Sequence, residues 1–279
     1  MNALLKGLLW FVPSLIALIL MSLKFFDVDG KLNFEDIGGK LWRARGSIFI
    51  LFLVGLGVKV ENWVHDLRPS GFRVTHLFYE FEGVGVMVFL QEKLTHPAVI
   101  HSSSIFYVLG LTFFVFFTPL FFFLRDEKKM LELFSKCLAV NYMFILPGYF
   151  LLHVLVTSYY SPAVKPLVYS HPQYLEILRL INRQTNCFPS GHISISLTMT
   201  LIFMYSTRLK KAAYFGVIFT VLTAFVIIYL GVHWLSDIPA GVAVGLFAYT
   251  SVSSGRMDFI FDPIVEFAEK TTESLKSRN

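Results

Sequence analysis

Long apolar blocks separated by short, mostly basic polar stretches set the pattern of this chain. A bilayer core of about 30 Å takes roughly 20 apolar residues per helix. Seven blocks read as spans on that basis: 3–23, 46–64, 104–124, 139–160, 189–206, 212–230 and 236–252. The second is the weakest, because its clean run from Ile48 to Val58 is followed by Lys59 and Glu61, which must snorkel or face protein. The first is similar to a signal peptide, but Trp10, Phe11 and Pro13 interrupt it. No small-x-small cleavage site precedes Lys24, so it reads as an anchor. Segment 65–103 mixes acidic and apolar residues with Gly83 and Gly85, and its apolar run over 84–90 is too short to cross. It reads as an interfacial helix or a re-entrant element. From about 256 onward the chain turns polar.

Composition narrows the class. Of 279 residues, 55% are apolar and only 15% charged, against roughly 25% charged in an ordinary soluble domain. Mean hydropathy is +0.63. These values exclude a soluble globule and a disordered chain. The expected fold class is all-α, a polytopic membrane helix bundle of about seven spans. Lys and Arg sort by side. Segments 24–45, 125–138, 207–211 and the tail hold more than twice as many as the N-terminus, 65–103, 161–188 and 231–235. The first set is therefore expected in the cytoplasm, with the N-terminus outside and the C-terminus inside. Three stretches follow: 1–45 as a span and cytoplasmic loop, 46–255 as a membrane core, and 256–279 as a polar cytoplasmic tail. The net charge of +5 belongs to this sidedness, and no nucleic acid is expected. All histidines except His153, which falls mid-span, sit in outer segments or at their edges. Cys137 (inner) and Cys187 (outer) are kept apart by the same topology, and two cysteines make neither a disulfide framework nor a zinc site.

Candidate chemistry gathers at the outer ends of two spans. Phe188-Pro189-Ser190-Gly191-His192 opens the fifth, and Gly231-Val232-His233-Trp234-Leu235-Ser236-Asp237-Ile238-Pro239 opens the seventh. Each has a plain structural role, Ser190 and Asp237 being natural helix caps. Together they do more. Backbone N–H groups around Ser190 and Gly191 at a helix start form a site for an anion. His233 and Asp237 are four apart, so on a helical turn the carboxylate orients the imidazole. One His held by Asp is an activated nucleophile, and the unpaired His192 nearby is a general acid. That set suits attack on a phosphoryl group.

The PSGH at Pro189–His192 and the HxxxD at His233–Asp237 resemble, in order and spacing, motifs of the type 2 phosphatidic acid phosphatase and vanadium haloperoxidase superfamily. The resemblance covers about 161–252 in motifs and, in hydropathy, the last six spans. It implies a six-helix phosphatase core with an extra N-terminal span and an outer interfacial helix. It also implies that His233 forms a phosphohistidine, Asp237 orients it, His192 protonates the leaving oxygen, and Ser190 with Gly191 holds the phosphate. The family's third motif would place Ser and Arg where this chain has Val226 and Ile227, and its first motif is incomplete at Lys165-Pro166. Lys165 and Arg183 are candidates for the missing charges, and interfacial anchoring explains both equally well. The implied activity is removal of phosphate from a membrane lipid phosphate or diphosphate on the extracytoplasmic face, with the plasma membrane as the expected address. The alternative is a phosphotransferase similar to inositol-phosphorylceramide synthases, which lack the same motifs. A second alternative is a non-catalytic lipid-binding protein. No cofactor or metal is implied, and vanadate is an expected inhibitor. Glu80 and Glu82 are read either as head-group contacts or as surface polarity.

Overall fold

The computed structural model describes residues 3–67, 71–181 and 184–276. It is an all-α bundle of membrane type. In chain order its helices are α1 (Ala3–Phe26), α2 (Ile37–Leu67), α3 (Thr75–Glu82), α4 (Gly85–Lys93), α5 (Pro97–Leu124) and α6 (Lys128–Leu151). There follow α7 (Thr157–Tyr160), α8 (Pro172–Ile181), α9 (Gly191–Leu201), α10 (Lys210–Tyr229), α11 (Asp237–Ser253) and α12 (Asp258–Lys276). A π-helical turn, Ile202–Ser206, continues α9. Two short strands, β1 (Phe72–Arg73) and β2 (Leu152–His153), pair in parallel.

Each of the seven apolar blocks contains helix, but not with the expected bounds. Among the described residues, α1, α2, α5, α6 and α10 are long and apolar enough to cross a membrane alone. Helix α11 reaches that standard only together with α12, from which it is bent by 67°. The expected second span, 46–64, lies within a much longer helix. Asp36 accepts from the Gly39 N–H at 3.0 Å and starts α2 early. Its first turns then carry basic side chains that were read as loop. Lys40 Nζ donates to the carbonyls of Asn33 and, at 3.0 Å, Leu124, while Arg45 pairs with Glu273 at 2.9 Å. Of the two charges beyond the clean run, Glu61 is buried and Lys59 is exposed. The expected fourth span, 139–160, instead runs from Lys128 to Leu151. His153 therefore sits in β2 beyond the helix and not in mid-span. Segment 65–103 holds two short helices, α3 and α4, with Gly83 at φ 62° ending α3. The tail is the helix α12, packed along α2, where Val265 closes on Gly46.

Helix α9 is the centre of the bundle, and its composition explains how. GHISISLTMTL is not strongly apolar, yet Ser194, Ser196, Thr198 and Thr200 are all fully buried. Each hydroxyl donates to a carbonyl one turn back, as Thr198 does to Ser194 at 2.7 Å and Thr200 to Ser196 at 2.8 Å. Their polarity is thereby satisfied within the helix. Small residues let neighbours approach: an added Cβ at Gly241 would lie 2.7 Å from the Ser190 carbonyl, and one at Gly245 would lie 2.7 Å from that of Ser194. This is the small-xxx-small packing by which membrane helices associate without a hydrophobic drive. Asn141 of α6 completes the contact by donating to Thr198 at 3.0 Å.

At the opposite end, the turn between α5 and α6 is tied to the segment after α1. The Arg125 side chain, 2% exposed, holds Asp27 at 2.7 Å, Asp29 at 2.6 Å and Glu127 at 3.0 Å. The Arg125 guanidinium keeps the Asp29 carboxyl well below the usual carboxylate range. A depressed folded-state value contributes stability at neutral pH that is lost as pH falls through the carboxylate range. Arg125→Ala is expected to cost about 1–3 kcal/mol in detergent and to flatten the acid-side decline in melting temperature below about pH 4. An unchanged melting temperature and an acid slope like that of the native chain would count against this reading.

Candidate active site

The site forms where the start of α9 meets the turn between α10 and α11. Helix α10 ends at Tyr229, and Gly231, at φ 70°, reverses the chain. That glycine also sits so close to Val164 and Ser158 that a Cβ would lie 2.6 Å from the Val164 side chain. His233 follows in the turn, and Asp237 is the first residue of α11. The pair is joined across this turn and not along a helix face. Asp237 Oδ2 accepts from His233 Nδ1 at 2.8 Å and from the Trp234 N–H at 2.8 Å. The carboxylate therefore turns back into the turn and does not cap its own helix, which has no side-chain cap. Trp234 is fully buried, and its Nε1 donates to the Leu155 carbonyl at 2.8 Å.

Ser190 is the N-cap of α9, its hydroxyl accepting from the Ile193 N–H at 3.4 Å. Gly191 admits the Tyr149 hydroxyl, which would lie 3.0 Å from an added Cβ. His192 stacks on Tyr107 with ring centroids 4.6 Å apart. Its ring meets that of His233 edge to face at 5.9 Å. The structure thus brings Ser190, Gly191, His192, His233 and Asp237 into one place. A cavity of about 230 Å³ reaches His192 and Gly191 from between α2, α5 and α6, with Leu111, Val115, Ile145 and Leu146 among its apolar walls.

Lys165 is held near the turn only through its backbone, which exchanges hydrogen bonds with Gln91 at 2.8 and 3.0 Å. Its side chain is exposed. Arg183 lies outside the described residues. Val226 and Ile227, at the positions of the family's third-motif Ser and Arg, are buried on α10 and carry no charge.

Three contributors were missed or left open by the sequence. Cys187 donates its thiol proton to Asp237 Oδ2 at 2.9 Å. Burial, reinforced by the Asp237 charge, pushes this thiol well up, so it remains a donor. Its position beside the PSGH run was the only available signal. Glu82, at the end of α3, accepts from the Leu235 N–H at 2.9 Å and the Ser236 N–H at 2.8 Å. Glu82 thereby clamps the turn that carries His233. Burial raises its carboxyl, against the pull of the two N–H donors, and the Asp237 charge raises it further. Gln91 of α4, 4% exposed, also donates to the Tyr229 carbonyl at 3.0 Å.

Residues 155–258 match the family model of the PAP2 superfamily. No curated protein and no solved structure matches the chain. The PAP2 segment contains His192, His233 and Asp237, whereas Glu82, Gln91, Tyr107 and most of the cavity wall lie before it. The match supports phosphatase or phosphotransferase chemistry in general.

Glu82→Ala leaves two backbone donors of the turn after α10 unsatisfied, at about 1–3 kcal/mol. The expected result is a roughly tenfold or larger fall in kcat. Glu82→Gln, with one acceptor oxygen in place of two, should fall between. Equal kcat for all three chains would remove Glu82 from the positioning of the turn.

Proposed function

We propose that the protein is an integral-membrane phosphoesterase that removes phosphate from a lipid phosphate or diphosphate through a phosphohistidine on His233. The observation that carries this reading is the 2.8 Å contact between His233 Nδ1 and Asp237, with His192 facing the same imidazole. With Nδ1 engaged, Nε2 is the atom left to attack phosphorus. Asp237 orients the ring and stabilises the imidazolium that forms as the P–N bond is made. His192 gives its proton to the leaving alkoxide, so the P–O bond breaks to a neutral alcohol. Backbone N–H groups at the start of α9, at the positive end of its dipole, receive the phosphoryl oxygens. Water, deprotonated by His192, then attacks the phosphohistidine and releases inorganic phosphate.

The buried Val226 and Ile227 favour a second reading. Without the cationic clamp, a less charged diester is the better donor, and a lipid or polyol hydroxyl replaces water as acceptor. This phosphotransferase reading makes diesters or diphosphates outperform monoesters, and a preference for monoesters rejects it. In both readings the partition of Lys and Arg supports an extracytoplasmic site.

Phosphate release by the purified chain is to be measured on phosphatidic acid, a phosphatidylglycerol phosphate and a polyprenyl diphosphate. His233→Ala is expected to abolish turnover. Asp237→Asn should lower kcat by about 10³–10⁴-fold, since the wrong tautomer is then held. Vanadate should inhibit. Release that survives in His233→Ala would exclude the phosphohistidine route.

A further inference from the structure

Cys187, His233 and Asp237 come from three places: the stretch before α9, the turn after α10 and the start of α11. Sγ, Nδ1 and a carboxylate oxygen lie within 4.8 Å of one another, and the three residues are 1%, 1% and 0% exposed. Two protons, those of Sγ and Nδ1, are held against the single oxygen Oδ2 at 2.9 and 2.8 Å. The other oxygen, Oδ1, is buried and has no hydrogen-bond partner among the described residues. Thiolate, imidazole and carboxylate together are the donor set of zinc. Exchanging the thiol proton for one divalent cation, the imidazole staying neutral, takes the charge of the cluster from −1 to 0. A buried site that accommodates the lone carboxylate charge therefore holds less net charge once the cation is bound.

We propose that Cys187, His233 and Asp237 form an inhibitory site for a soft divalent cation of the zinc and cadmium class. On binding, the Sγ–H proton leaves to water and the imidazole proton shifts from Nδ1 to Nε2, so that the ring binds as a neutral ligand. Metal bonds form to Sγ, Nδ1 and an Asp237 oxygen, and a water completes the tetrahedron. Bond lengths of about 2.0–2.3 Å set the ligand atoms a little over 3 Å apart. Sγ and Nδ1 already stand 3.5 Å apart, so each need only withdraw from Oδ2 by a fraction of an ångström. Coordination at Nδ1 takes the imidazole from Asp237 and leaves Nε2 protonated, with no lone pair to attack phosphorus. Magnesium and calcium, which seek all-oxygen shells, do not bind. The inhibitory effect rests on the phosphohistidine reading, but the binding itself does not.

The test uses the full chain carrying Cys137→Ser, which removes the other thiol, beside the same chain with Cys187→Ser added. Each is titrated with Zn²⁺, Cd²⁺ and Mg²⁺, and each rate is referred to that chain's own metal-free rate. Zn²⁺ and Cd²⁺ are expected to inhibit the first chain and Mg²⁺ to have no effect. Cys187→Ser should raise the half-inhibiting concentration at least about tenfold, the loss that removal of even an outer partner of a metal ligand brings. Without substrate, Cd²⁺ should give the ultraviolet cadmium–thiolate band in the first chain and none in the second. Inhibition undiminished by Cys187→Ser overturns the proposal. So does the absence of a band in the Cys137→Ser chain, a measurement that needs no change at the site and no folded double variant. A band in a chain that turns over no lipid would sustain the metal site and reject the function. Turnover without a band would do the reverse.

Discussion

One buried oxygen organises the catalytic end of this protein. Asp237 Oδ2 accepts hydrogen bonds from the His233 imidazole, the Trp234 backbone and the Cys187 thiol at a fully buried position. A carboxylate without these donors would be costly to bury. With them, it fixes the ring of His233, the closure of its turn and the stretch leading into α9. Asp237 also brings its backbone carbonyl to the Ser190 N–H at 3.4 Å, so both motifs are joined through a single residue. The chemistry proposed for the site depends on this junction, since an imidazole in the wrong tautomer or tilt offers no nucleophile.

The bundle behind the junction is held by close approach more than by bulk. Gly241 and Gly245 bring α11 against the backbone of α9, and the hydroxyls of α9 satisfy themselves within the helix. The apolar mass lies elsewhere, in the phenylalanine series of α5 that includes Phe113, Phe114, Phe117, Phe121 and Phe122.

How much of this was legible in the sequence follows from the kind of signal each part emits. Apolar blocks gave helices, because hydropathy over some 20 residues is a collective property. Their ends were less legible. Lys40 and Arg45 look like loop residues until the carbonyl of Leu124 and the carboxylate of Glu273 are there to receive them. His153 looked embedded because α6 was placed a turn or more too late. PSGH and HxxxD marked the central residues, as their local order survives folding. Glu82 and Cys187 did not stand out, since each acts through a partner distant in sequence. No periodicity encodes the contact between a carboxylate at 82 and the amides at 235 and 236.

That last contact alters what counts as the portable unit. The PAP2 segment begins at residue 155, yet the turn bearing its central histidine is clasped by Glu82 and braced by Gln91 from two short helices far upstream. Grafted onto another scaffold, residues 155–258 would arrive with His192, His233 and Asp237 in sequence but with the hinge unfastened. A chimera would have to import α3 and α4 in register, so the boundary of sequence similarity and the boundary of the working part do not coincide.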